Sequence, residues 1–212
     1  MHIIFIISII IIIFILYKDN IETFISRKHI CNNIDGRCYS IVEKFNDSKK
    51  ASELLAKLNL FCIKIMKHLR KKYIRSYNSN EEAIRLVKFL LQNYNPDGII
   101  ENAPSGNINT SYVDDKGKEF AICLREKISG KHKFHLFEEL QFVVLHEMSH
   151  MANVNFGHNQ DFWEVFKFIL QEAALTGLYI PINYEKYPLN YCSLEVTHNP
   201  YFDKSIRNIK IN

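Results

Sequence analysis

The segment from His146 to His150 reads H-E-M-S-H, a set of residue types at a spacing that can do hydrolytic chemistry. It lies within an amphipathic pattern that predicts a helix from about Phe137 to Asn153. Residues four apart on a helix are about 40° apart around its axis and about 6 Å apart along it, so both imidazoles can contact one metal ion. Glu147 lies about 100° further round and can still reach a water molecule at that ion. The pattern predicts a zinc site in which two imidazoles bind the metal and the carboxylate accepts a proton from water.

A third imidazole follows at His158. Gly157 can adopt a positive φ and turn the chain sharply, and Asn159 is a favourable residue at a helix start. A second helix is predicted from about Gln160 to Leu175, ended by Gly177. His158 at the start of this helix can complete a three-ligand site that leaves the fourth position open, as a catalytic zinc requires.

Other third ligands remain open from the residues alone. Glu164 and Glu172 of the second helix are both within range by sequence distance, and Glu172 has the better spacing of the two. The longer pattern H-E-x-x-H-x-x-G-x-x-H is not met, because Asn153 and Phe156 stand at its Gly and final His positions. The local context favours His158.

The H-E-x-x-H motif, a short gap and an H-x-x-x-F-W segment together resemble the WLM-domain metallopeptidases. These are relatives of the Spartan-type proteases, which degrade proteins crosslinked to DNA. The matching residues are His146, Glu147, His150, Gly157, His158, Phe162 and Trp163. The strand-like run Glu119–Arg125 is also similar to a strand of that family, and the likeness spans roughly residues 99–178, most closely to WLM-like proteins of large DNA viruses.

The resemblance implies a zincin-like peptidase in which His146, His150 and His158 hold Zn²⁺ and Glu147 is the catalytic acid/base. The seven residues between His150 and His158 make a longer gap than is usual in cellular members of the family. The DNA dependence of the Spartan relatives is not carried over to this chain.

Periodicity elsewhere predicts the elements that position these residues. Helices are predicted over Ser52–Tyr73 and Glu81–Tyr94, and short strands over Ile99–Glu101, Ser111–Val113 and Phe120–Leu124. Helices, a small sheet, an active-site helix, a second helix and an irregular tail indicate a compact α+β, zincin-like fold. The strand Phe120–Leu124 is predicted to be the edge on which an extended substrate pairs.

The front of the chain is almost purely apolar from Ile3 to Tyr17, which predicts a membrane anchor over residues 1–18. No basic segment precedes the run and no small-x-small site follows it, so we expect it to remain uncleaved. Lys18, Arg27 and Lys28 follow the run, and the positive-inside rule then predicts a catalytic domain on the cytosolic side. Residues 19–46 are predicted to be a linker, and residues 47–212 the metallopeptidase domain.

The five cysteines are odd in number and widely spaced, which predicts free thiols in a reducing compartment. The N-x-S/T sequons at Asn46 and Asn109 are then interpreted as chance. The basic helix face from Lys64 to Arg75 is interpreted as solvated. Contact of that face with anionic lipid or nucleic acid stays open, since the formal charge of +4 is too small to decide.

Two functions are therefore expected from the sequence. The first is a membrane-anchored zinc endopeptidase that acts on a protein or peptide. The alternative is a non-catalytic, zinc-bound viral membrane or virion protein that uses the fold to bind a partner. The intact Glu147 favours the first, because a structural zinc site does not need it. Candidate oxyanion donors are Arg125, His132, His135 and Tyr179.

Overall fold

The computed structural model describes residues 26–76, 80–102, 110–115, 117–126, 132–155 and 157–209. The described part of the chain is a compact α+β domain with four α-helices and a small mixed sheet. The elements in chain order are β1 (Arg27–Cys31), β2 (Cys38–Val42), α1 (Ser48–Leu69), a π-helical segment (Arg70–Arg75), α2 (Glu81–Asn93), β3 (Ile99–Glu101), β4 (Tyr112–Asp114), β5 (Glu119–Ile122), α3 (Phe137–Ala152), α4 (Gln160–Leu175), β6 (Leu189–Tyr191) and β7 (Leu194–Val196).

The four predicted helices are confirmed to within a few residues at each end. Helix α1 starts at Ser48 and buries an apolar stripe that includes Leu55, Leu58 and Ile65. Helix α2 begins as predicted at Glu81, and the side chain of Asn80 before it accepts a hydrogen bond from the backbone N–H of Ala83 at 3.0 Å. Helix α3 packs against α1, α2 and α4, so the helix with the H-E-x-x-H motif has its inner side in the centre of the core.

The predicted linker is wrong over its described part, because residues 27–42 form two strands of the main sheet. The strands β1 and β2 pair antiparallel, and Tyr39 and Ile41 of β2 are buried in the core. Two five-residue strands on either side of a polar turn are too short to show a period in the sequence. These two segments belong to the domain because they pair with the rest of the sheet, and the sequence pattern alone did not indicate this.

The prediction that the strand at Phe120–Leu124, which is β5, lies at the edge of the sheet is also wrong. The five strands lie in the order β1-β2-β3-β5-β4, so β5 lies between β3 on one side and β4 on the other. It pairs parallel with β3 and antiparallel with β4, and Asp114 lies opposite Glu119 in the β4–β5 hairpin. The last strand of the described sheet is therefore β4. Gly117 in this hairpin has φ +105°, and an added Cβ would lie 2.0 Å from the carbonyl oxygen of Asn93, so only glycine fits there.

The prediction of five free thiols is wrong. Cys31 and Cys38 are paired in register on β1 and β2 and form a disulfide, and Cys123 after β5 is bonded to Cys192 in the β6–β7 hairpin. Cys62 is the free cysteine of the described residues and is buried in the core. The register of β1 and β2 brings Cys31 next to Cys38, and the course of the C-terminal segment brings Cys192 next to Cys123. The spacing of the cysteines in the sequence therefore predicts neither disulfide.

The predicted membrane anchor, residues 1–18, lies outside the described residues. Within the part of the chain that the structure describes, none of the helices has the length and apolar character needed to cross a bilayer.

Candidate metal centre

Helix α3 presents His146 and His150 on one side and buries its other side. Its N-terminus is stabilised by Glu139, whose carboxylate accepts a 2.9 Å hydrogen bond from the backbone N–H of Leu136. Met148 and Met151 point into the core, whereas both imidazoles are half-buried in a cleft. The i, i+4 spacing therefore has the consequence expected from helix geometry.

A sharp turn then returns the chain so that His158 faces the other two imidazoles. Gly157 has φ +82°, which confirms the predicted left-handed turn residue. The Asn159 side chain caps α4 by accepting a 3.0 Å hydrogen bond from the backbone N–H of Phe162. The cap and the turn together fix the backbone of His158 although its side chain is exposed.

The three imidazoles converge through their Nε2 atoms. The Nε2 atom of His146 lies 3.2 Å from that of His150 and 3.0 Å from that of His158. Four ligands at a Zn–N distance of 2.0–2.1 Å in a tetrahedron are separated by about 3.3 Å, so the spacing of these nitrogens fits zinc. Among the described residues, this is the one group of three or more His, Cys, Asp or Glu side chains whose potential ligand atoms all lie within 4.8 Å of one another.

Aromatic rings hold the imidazoles in these positions. Phe162 is buried and stacks on His150 with ring centroids 4.3 Å apart and planes at 26°. It also contacts the rings of His146 and His158 edge-on at 4.9 and 4.7 Å. Phe166 contacts His146 edge-on at 5.0 Å. The predicted F-W segment thus supplies the floor of the cluster.

Burial sets the protonation of the cluster. It lowers the pKa of His146 to about 3, with added repulsion from its two imidazole neighbours, and lowers the pKa of His150 to about 4. Burial also lowers the pKa of His158. Neutral imidazoles are the form that binds metal. Burial raises the pKa of Glu147 to about 8, and a cation at the imidazoles would favour its carboxylate form.

The cluster lies between two cavities. The first, of about 610 Å³, is lined by His146, Glu147 and His158 together with apolar and aromatic side chains. The second, of about 410 Å³, shares those three residues and continues along β4 past Asn153 and Asn155. Together they form a cleft that crosses the imidazoles, with Glu147 at the junction.

The alternative third ligands lie elsewhere. Glu172 is fully buried and accepts hydrogen bonds from Lys72 Nζ at 2.9 Å and Tyr73 Oη at 2.7 Å, with His68 Nε2 at 2.8 Å. Glu164 Oε2 instead accepts a 2.8 Å hydrogen bond from Arg207 Nε. Of the predicted candidates, the structure brings His158 to the cluster and leaves both glutamates out of it.

None of the predicted oxyanion donors lines the cleft. Arg125 is buried, with hydrogen bonds to Glu101 at 2.8 Å and Asp47 at 2.9 Å. His132 lies against Phe45, 4.8 Å between ring centroids. The remaining two, His135 and Tyr179, are buried away from both cavities.

The cleft instead contains His198, which the sequence analysis did not single out. Its Nε2 atom lies 3.0 Å from Asp203 Oδ2, and its ring meets Trp163 edge-on at 5.6 Å. Hydrogen bonds from Ser205 and the contact with His198 lower the pKa of Asp203 to about 2. His198 reaches the cleft only because the C-terminal segment that includes β7 lines it. The sequence shows just a histidine five residues before an aspartate, which does not predict this position.

Comparison with known proteins finds viral relatives. The chain is 29% identical over 199 residues to uncharacterized protein R325 of Acanthamoeba polyphaga mimivirus, covering 90% of this chain and 91% of that protein. It is 35% identical over 75 residues to uncharacterized protein 136R of Invertebrate iridescent virus 6, covering 35% of this chain and 41% of that protein. No family model matches the chain, and no solved structure matches it.

Proposed function

We propose that the protein is a zinc-dependent endopeptidase with a zincin-like domain related to the WLM metallopeptidases. The observation that carries the proposal is the convergence of His146, His150 and His158 in a cleft that also contains Glu147. A structural zinc site is closed by four protein ligands, whereas three imidazoles leave a position for substrate or water. A purely structural site also has no use for a carboxylate beside it.

The residues divide the chemistry between them. A zinc ion held by the three imidazoles would polarise the substrate carbonyl and acidify a water molecule. Glu147 would accept the proton of the attacking water and then deliver it to the departing amine. Phe162 and Phe166 would keep the imidazole rings oriented and exclude bulk water from their inner side. His198 lines the same cleft and is the candidate to stabilise the developing oxyanion, with Asp203 as its positioning partner.

The substrate is proposed to be an extended peptide. Strand β4 is the last strand of the described sheet, and Tyr112, Val113 and Asp114 line the second cavity. An extended segment laid along β4 would add a strand to the sheet and run across the imidazoles. This assigns to β4 the pairing role that the sequence analysis gave to β5.

The membrane attachment of the enzyme and the side on which its domain lies rest on different features. The apolar run at residues 3–17 stays the predicted single-pass anchor. The cytosolic orientation rested partly on reduced thiols, and the two disulfides remove that support, because such bonds persist mainly in oxidising compartments. We therefore propose an anchored domain that faces an oxidising compartment or the virion exterior.

The direct test compares full-length protein with its Glu147→Gln variant, both loaded with zinc and incubated with a broad peptide library. The native protein is expected to cleave peptides and to lose activity with a chelator. The variant is expected to keep zinc and fold but to lose proteolysis, because an amide cannot accept the proton of the water. Native-rate cleavage by the variant would show that Glu147 is not the base.

A further inference from the structure

The first cavity of the cleft has an apolar wall that begins one helical turn from the imidazoles. Phe142 and Val143 precede His146 by four and three residues on α3, so they form the floor directly beside it. Trp163 and Phe166 of α4 also line this cavity, as do Leu194 and Val196 of β7. The wall is thus built from three separate elements around one space.

This space is open to solvent rather than sealed in the core. Leu194 is 55% exposed although it lines the cavity, whereas the lining residues Phe142 and Phe166 are buried. Contiguous apolar surface of this kind, kept open in a folded domain, marks a binding site. Its continuity with His146 and Glu147 indicates what binds there, namely the part of a substrate next to the reacting bond.

The two flanks of the imidazoles differ in chemistry. The second cavity is bordered by Asp114, Asp115, Asn153 and Asn155, so it offers a larger share of polar contacts than the first. Among the described residues that line the first cavity there is no Lys or Arg, and the one carboxylate besides that of Glu147 belongs to Glu195. A large apolar group would therefore be favoured on the flank of the first cavity.

We propose that the first cavity is a specificity pocket for a bulky apolar or aromatic side chain on the residue that flanks the scissile bond. The proposal rests on the endopeptidase function given above and names its substrate class. A cavity of about 150 Å³ holds a benzene molecule, so a volume of about 610 Å³ has room for a Phe, Trp or Leu side chain together with adjoining backbone. Removing apolar surface from water is the driving force, and an Asp or Glu side chain would lose its hydration there without gaining a Lys or Arg partner among the described lining residues.

The wall of the pocket that the β6–β7 hairpin supplies is held in place by contacts with β5 and its neighbours. Tyr191 Oη donates a 2.8 Å hydrogen bond to the carbonyl oxygen of Cys123 and lies 2.6 Å from Ser111 Oγ. The Cys123–Cys192 disulfide ties the same hairpin to the end of β5. A wall held by covalent and polar contacts keeps the pocket open before substrate arrives, which lowers the ordering cost of binding.

The kinetic test uses zinc-loaded full-length protein and quenched fluorescent peptides that differ only at the residues flanking the cleaved bond. Phe or Leu at one flank is expected to exceed Ala in kcat/KM by at least about tenfold, and Asp is expected to be poorer than Ala. The Leu194→Lys variant should reduce the ratio of kcat/KM for the Phe peptide over the Ala peptide by a similar factor. Ile180→Lys is the matched control, because Ile180 is 77% exposed and does not line the cavity.

A binding test measures occupancy of the pocket independently of peptide cleavage. Trp163 is the single tryptophan of the chain and lines the pocket, so its fluorescence reports occupancy with or without metal. N-acetyl-phenylalanine amide is expected to give a saturable change that N-acetyl-alanine amide does not give, and Leu194→Lys should weaken it. Cleavage without flank preference would overturn the pocket and leave the endopeptidase proposal intact. Absence of all cleavage would overturn the endopeptidase proposal, and equal responses to both amides would then overturn the pocket as well.

Discussion

The indole Nε1 of Trp163 donates a 3.1 Å hydrogen bond to the backbone carbonyl oxygen of His158. The two rings also lie side by side, with centroids 5.8 Å apart. This contact explains why an F-W pair follows the third histidine: Phe162 packs beneath the imidazoles, and Trp163 fixes the backbone of the most exposed one. His158 is thereby preorganised, although none of the described carboxylates is hydrogen-bonded to it.

The first prediction follows from this hydrogen bond. Trp163→Phe keeps an aromatic ring but removes the donor, so we expect zinc affinity to fall by about tenfold, the low end of the effect of losing a supporting contact. Competition with a coloured chelator measures it. Tyr187→Phe is the control, because Tyr187 is 70% exposed. An unchanged affinity would mean that the turn and the Asn159 cap suffice to position His158.

The second prediction assigns the ligands. Full-length protein should bind about one zinc ion, and His146→Ala or His150→Ala should lose it. His158→Ala should weaken binding by at least about tenfold, since loss of a ligand costs no less than loss of a supporting contact. His29→Ala is the control, as His29 is exposed on β1. Full zinc content in both helix variants, measured by elemental analysis, would contradict the assignment.

Glu172 gives a third prediction, in which stability and metal binding separate. Glu172→Gln leaves Lys72 without its counter-ion and disturbs the contacts of Tyr73 and His68. We expect the free energy of unfolding to fall by about 3 kcal/mol, the low end for a broken buried pair, because Lys72 is partly exposed. Urea unfolding measures the loss. Zinc stoichiometry should be unchanged, and a loss of zinc at full stability would return Glu172 to the ligand set.

A fourth prediction concerns His198. His198→Ala should lower kcat by about 10–100-fold with little change in KM, because the proposed hydrogen bond forms to the transition state more than to the substrate. Asp203→Asn should have a smaller effect in the same direction, since it only orients the ring. Lys204→Ala, at an exposed neighbour, should match the native enzyme. A variant that changes KM alone would make His198 a substrate-binding residue.

The cysteines give the fifth prediction. Alkylation of denatured, unreduced protein followed by mass spectrometry should label Cys62 and leave the other four cysteines protected. The exposed sequon at Asn46 reports the orientation of the domain in microsomes. Its glycosylation, with protection of the C-terminus from added protease, would support the oxidising side. Labelling of all five cysteines and an accessible C-terminus would restore the cytosolic orientation predicted from the sequence.

The sequence by itself determined the local parts of this protein. Helical periodicity and the cap at Asn159 predicted the helices, because caps and i, i+4 contacts involve neighbours within one turn. The same short range placed His146 and His150 on one side of α3. The chain reversal at Gly157 was likewise readable, since a positive φ is a property of a single residue.

Only the tertiary structure decided what depends on distant segments. It brought His158 rather than Glu172 to the other two imidazoles, because the packing of α1 against α4 gives Glu172 three other partners. It also placed β4 rather than β5 at the end of the sheet, and it placed residues 27–42 of the predicted linker in the sheet. The Cys123–Cys192 disulfide likewise depends on the tertiary structure. The physical reason is common to all of these. Strand order, disulfide pairing and the cleft wall that brings His198 forward are set by contacts between residues far apart in sequence, which leave no local periodicity.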